Sequence, residues 1–79
     1  MCKVLTQDKS RLIDVSNTDI YIEQKDKNIF NICVYRYTRS LVLGTYRTEE
    51  NAKKILEMMA ICLGNNGYYK MPEIDSKPK

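Results

Sequence analysis

Ile20, Ile22 and Gln24 alternate with Tyr21, Glu23 and Lys25, and after "DKN" the chain resumes with the β-branched and aromatic run "IFNICVYRY". Alternation with a period of two is the pattern of a strand with one face buried. Two such runs separated by a short polar stretch specify a β-hairpin, and the register follows from the loop length. A three-residue loop at 26–28 pairs Ile22 with Ile32, Ile20 with Val34 and Gln24 with Phe30. A two-residue loop sets Tyr21 opposite Ile32 and Ile22 opposite Asn31. The first arrangement keeps aliphatics facing aliphatics and is the expected one. Asn28 suits a left-handed turn position.

A second turn around "YTRS" leads to "LVLGTY", a further strand whose Leu41 and Leu43 join the face of Phe30, Ile32 and Val34. Upstream, Val4 and Leu5 and the run "LIDV" at 12–15 are two brief strands around the polar turn "QDKS", suited to a short hairpin. A helix begins at "TEENAKK". Thr48 is the expected N-cap, Glu49 and Glu50 lie in the positive first turn, and Gly64 is the expected terminator. After "GNNG", "YYKMPEI" reads as a short extended piece, and the final "SKPK" as a flexible tail over 76–79. The expected architecture is therefore a single α+β domain over 1–75. It has an antiparallel sheet of four to five strands with one C-terminal helix on its aliphatic face.

The chain has 79 residues, 43% hydrophobic and 29% charged, which suits a small folded domain with a thin core. No apolar run approaches the roughly 20 residues of a membrane span, and the N-terminus turns polar too early for a leader peptide. Cys2, Cys33 and Cys62 are odd in number and widely spaced, so a disulfide framework is not expected and a reducing cytoplasm fits. The formal net charge is +3, but without the two lysines of "SKPK" 11 basic residues face 10 acidic ones. A body so close to neutral lacks a polyanion footprint, which disfavours nucleic-acid binding and leaves local capture of an anion open.

No histidine is present and no cysteine pair has metal-ligand spacing, so neither catalysis, nor a cofactor, nor a metal site is expected. Candidate binding residues come from two surpluses. On a helical wheel Ala52, Ile55, Leu56, Met59, Cys62 and Leu63 form one stripe, while Met58 and Ile61 fall outside it. Those two are open to cover by "YYKMP", to a second copy of the chain, or to another protein; association into a homo-oligomer is the expectation carried forward. On the sheet face away from the helix, alternation places Tyr21, Cys33, Tyr35, Tyr37, Val42 and Tyr46. Arg36, Arg39 and Arg47 lie beside these tyrosines. Tyrosine rings with guanidinium groups suit a phosphate-bearing base or a protein carboxylate, although strands carry aromatics on half-exposed faces whatever their function.

The strings "VLTQDKSRLIDV", "LVLGTYRTEENAKKILEMM" and "YYKMPE" resemble a type of small accessory protein encoded by phages and prophages of Gram-positive bacteria. That resemblance implies a setting in which such proteins work by binding. It implies that the chain counters host defences, by blocking a host defence protein or by sequestering a nucleotide signal, or that it redirects host machinery. It carries over no functional residue. A nucleic-acid-binding regulator of phage gene expression is the alternative.

Overall fold

The computed structural model describes residues 2–36 and 38–74. Its elements are β1 (Lys3–Leu5), β2 (Leu12–Asp14), β3 (Asp19–Asp26), β4 (Ile29–Arg36), β5 (Arg39–Tyr46), α1 (Glu49–Asn65) and β6 (Tyr68–Lys70). The fold is α+β with the helix packed on sheet, as the sequence indicates. The strands are divided, however, between two three-stranded sheets, β3-β4-β5 and β2-β1-β6. The terminal segment 76–79 lies outside the described residues.

The β3–β4 hairpin has the expected register: Ile20 faces Val34, Ile22 faces Ile32 and Gln24 faces Phe30. A bulge between Gln24 and Asp26 then absorbs one residue, so Asp26 faces Ile29 and only Lys27 and Asn28 remain in the turn. Asn28 is not left-handed there. Positive φ occurs instead at Lys9 (64°), Asn17 (57°) and Thr38 (64°).

A second bulge corrects the reading of β5. Cys33 faces Val42, but Ile32 faces Gly44, so Leu43 is an extra residue in the strand. An inserted residue reverses which side the following side chains occupy. Leu41 and Leu43 turn inward, and Gly44 and Tyr46 follow on the same inner side, opposite Ile32 and Phe30. Tyr46 is therefore a core residue with 0% exposure rather than part of the outer face.

The helix is capped where expected. Asn51 N–H donates to Thr48 Oγ1 at 3.1 Å, and Glu49 and Glu50 occupy the first turn. Its end differs. The helix runs through Gly64 to Asn65, and Gly67, with φ 72°, takes the left-handed position; its N–H reaches Leu63 O at 3.1 Å. Gly64 is thus an interior helical residue.

The inward stripe is as expected. Ala52, Ile55 and Met59 are buried, and Leu56 and Leu63 pack at the margin of the core. They meet Phe30, Ile32, Val34, Leu43 and Tyr46 from the larger sheet, and Val4, Ile13 and Val15 from the region of the smaller one. Each fully buried aliphatic here contributes about 1.5–3 kcal/mol.

Residues 68–72 do not cover Met58 and Ile61, which removes that alternative. Tyr68, Tyr69 and Lys70 instead pair in parallel with Lys3, Val4 and Leu5, making β1 the central strand of its sheet. Met71 then enters the core at 1% exposure, and Tyr46 donates its hydroxyl to Pro72 O at 2.7 Å.

Candidate binding groove between β2 and β5

In a two-strand antiparallel pair, residues alternate between those that bond across the ladder and those whose N–H and C=O point away from it. On β2, the bonds Val15 N–H to Cys2 O (2.8 Å) and Thr6 N–H to Arg11 O (2.9 Å) fix the phase. Ile13 then bonds back to Val4, and Leu12 and Asp14 point outward. On β5, Leu43 O and Thr45 N–H point outward to Gln7, and with Leu43 as the extra residue of the bulge Ser40 and Val42 point outward as well. Both strands are edges of their sheets. Their outward sides flank one groove.

The groove is tied at both ends. At one end Gln7 lies along β5: its N–H donates to Leu43 O at 2.9 Å, and its side-chain Nε2 donates to Thr45 O at 2.9 Å. Its Oε1 accepts from Thr45 N–H at 3.1 Å. Gln7 Nε2 also reaches Pro72 O at 3.2 Å. At the other end the Arg36 guanidinium donates to the outward carbonyl of Asp14. Between the ties lies a cleft of about 290 Å³ lined by residues 11–14, Arg36, Arg39 and Leu41. Past Arg11 a second cleft of about 250 Å³ extends between residues 6–11 and residues 42–45 of β5.

Three guanidinium groups thus border one cleft, against the single carboxylate of Asp14. That carboxyl is held below its ordinary value of 3.8, first by the Ser16 N–H (2.9 Å to Oδ1), then by the Ser16 hydroxyl, and less by Arg36 and Lys3. The Asp8 carboxylate beside the second cleft is already engaged by the Ser10 hydroxyl and N–H and the Thr6 hydroxyl, which lower it likewise. Among the described residues, neither Arg11 nor Arg39 pairs with a carboxylate. Apolar surface in the groove comes from Leu41, half-buried against the core on the side of the arginines, and from Leu12, 54% exposed.

The residues singled out from the sequence are only partly brought together. Arg36 and Arg39 share the groove, on the inner side of the sheet. Tyr21 and Tyr35 lie on the outer face, where the Tyr21 and Ser40 hydroxyls are hydrogen-bonded at 2.6 Å. Tyr35 is 52% exposed and meets Arg36 only at a separate cleft of about 280 Å³ beside residues 16–18. Tyr46 is buried and offers no ring to a ligand. Arg47 is half-buried at the bend between β5 and α1, a strand length from Arg39. Tyr37 lies outside the described residues. Met58 and Ile61 are 48% and 54% exposed on the helix surface. Cys33 sits under this outer face at 1% exposure, its thiol pushed up by burial and by the Glu23 carboxylate.

Sequence reading misses Arg11, Gln7 and the outward backbone of Leu12, Ser40 and Val42. The pattern of "RLIDV" does contain an arginine opening an edge strand, but its convergence with Arg36 and Arg39 arises only from tertiary packing.

No protein-family model, curated protein or solved structure matches the chain. The geometry of the groove is what bears on function. Among the described residues, no group of three His, Cys, Asp or Glu side chains could hold a metal ion, and no helix is long and apolar enough to cross a membrane.

Proposed function

We propose that this chain is a non-catalytic binding protein of the kind phages and prophages direct against host defences, and that it captures an anionic partner in the groove between β2 and β5. The observation that carries this reading is the convergence of Arg11, Arg36 and Arg39 on one cleft between two strand edges. Guanidinium groups bind carboxylates and phosphates through paired, charge-assisted hydrogen bonds, and they hold a partner without transforming it. A host defence protein presenting carboxylates is the favoured partner, because the arginines of the groove and the exposed tyrosines lie on opposite sides of the sheet.

Capture of a small anionic nucleotide is the second reading. It is favoured by the cleft where Tyr35 and Arg36 meet Ser16, Asn17 and Thr18. Association of copies through Met58 and Ile61 belongs to the same proposal, supported by their exposure; sedimentation of the wild type against Met58→Lys/Ile61→Lys measures it, and a monomeric wild type rejects it.

Thermal shift against cyclic and dinucleotide phosphates, and against carboxylate-rich peptides, distinguishes the two partners. A saturating partner raises the melting temperature by several degrees in a domain of this size. Arg11→Ala/Arg39→Ala abolishes the shift if the groove is the site. A shift that survives this double change rejects the groove.

A further inference from the structure

We infer that the partner enters the groove as an extended acidic segment, which pairs with the outward edges of β2 and β5 and joins the two sheets into one. This rests on the anion-capturing reading of the same groove and specifies how the partner is held. Strand edges with unpaired N–H and C=O groups are templates for a further strand. Here two such edges flank one groove, with Leu12 on one side and Ser40 and Val42 on the other.

The chain already makes part of this pairing itself. Gln7 occupies the edge of β5 at Leu43 and Thr45, using one backbone N–H and both ends of its side-chain amide. Beyond Gln7 the pairing stops, and the edge of β5 continues past Val42 and Ser40 to Arg39. The β2 and β5 strands run in opposite directions, since Arg11 lies near Thr45 and Asp14 is tied to Arg36. An entering strand therefore lies antiparallel to one edge and parallel to the other.

Charge selects the occupant. Arg11 and Arg39 are exposed at the rim on the inner side, next to Leu41, whereas Leu12 and Val42 alternate to the other side and present exposed apolar surface there. A strand alternating acidic and aliphatic side chains matches this lining, because successive side chains point to opposite faces. A lysine-bearing strand is repelled by the same arginines. Backbone pairing supplies affinity and the arginines supply selectivity.

The test uses the full chain and three synthetic heptapeptides capped at both ends. One alternates glutamate with valine, one alternates lysine with valine, and one is the glutamate peptide N-methylated at alternate residues. Amide hydrogen exchange is followed by NMR. The glutamate peptide is expected to bind saturably and slow exchange at the Leu12, Ser40 and Val42 amides. Arg39→Ala, at an exposed position, is expected to weaken binding by roughly tenfold with an unchanged melting temperature, the scale of one charge-assisted hydrogen bond. The lysine and N-methylated peptides are expected not to bind.

Binding of the glutamate peptide without protection of those amides, or equal binding of the N-methylated form, overturns the strand insertion and leaves anion capture standing. Arginine-dependent binding of a nucleotide with no peptide binding likewise overturns the insertion alone. Absence of any arginine-dependent binding, by peptides or nucleotides, overturns both.

Discussion

The side-chain amide of Gln7 pairs with the backbone of Thr45 as if it were a residue of a neighbouring strand, donating to its C=O and accepting from its N–H. This contact links the β1–β2 turn to the edge of the larger sheet. Gln7→Ala leaves both Thr45 groups to partly excluded water and is expected to cost about 1–2 kcal/mol in urea unfolding. Gln7→Glu retains the acceptor and loses the donor at neutral pH, so it is expected to destabilise there and to recover stability as the carboxyl protonates.

Gly44 sits where a side chain has no room. A Cβ at this position would lie 2.9 Å from the Tyr46 hydroxyl and 3.1 Å from Met71 Cε. Both neighbours are buried, and the hydroxyl is engaged with Pro72 O. Gly44→Ala is expected to cost about 1–3 kcal/mol, read as a fall in melting temperature. Tyr46→Phe, which removes only the hydroxyl, is expected to cost about 1 kcal/mol.

The two glycines near the helix end are expected to respond with opposite sign. Nothing approaches a Cβ at Gly64, so Gly64→Ala is expected to stabilise by about 0.5–1 kcal/mol through helix propensity. Gly67→Ala forces a side chain into a left-handed conformation and is expected to cost about 1–2 kcal/mol. Parallel thermal melts of the two variants check the pair. Destabilisation by Gly64→Ala would place the helix end back at residue 64.

Asp8 and Asp14 both have carboxyls lowered below 3.8 by hydrogen bonds from serines, Ser10 for the first and Ser16 for the second. A depressed folded-state value means that the unfolded chain binds protons more readily. Their contribution is therefore full above the unfolded value and is lost as pH falls through the folded one. Acid titration of carboxyl chemical shifts is expected to place both midpoints below 3.8. Stability contributed by these two groups declines only as the pH drops from the unfolded value through the folded ones.

Cys33, under the outer face with its thiol pushed up, is expected to react with a thiol reagent far more slowly than Cys2 or Cys62, both half-buried. Mass spectrometry after timed alkylation reads the order.

The pattern of legibility follows from the range of the interactions. The β3–β4 register is readable because Ile20, Ile22, Ile32 and Val34 alternate without interruption and pair aliphatic with aliphatic in one register. Thr48 is readable because a cap acts on residues three positions away. Tyr46 escapes the pattern because alternation carries through "LVLGTY" on paper, whereas the extra residue at Leu43 reverses the sides. Gly64 and Gly67 are hard to separate because both lie in "GNNG" and propensity does not choose between them. The groove is hidden for a stronger reason. Arg11 and Gln7 reach Arg39 and Thr45 only after the chain has closed across dozens of residues. The backbone edges that define the site carry no side-chain signature at all.

β1 is the middle strand of its sheet, yet one of its neighbours, β6, follows every other described element in the chain. During synthesis β1 emerges early and can find β2 at once, but its remaining edge has no partner until Tyr68, Tyr69 and Lys70 leave the ribosome. Until then the nascent chain carries an unsatisfied strand next to Val4, the kind of surface through which incomplete chains aggregate. Closure of this sheet therefore rests on residues 68–70, and a chain truncated before β6 is expected to melt at a lower temperature and to aggregate more readily than the full chain.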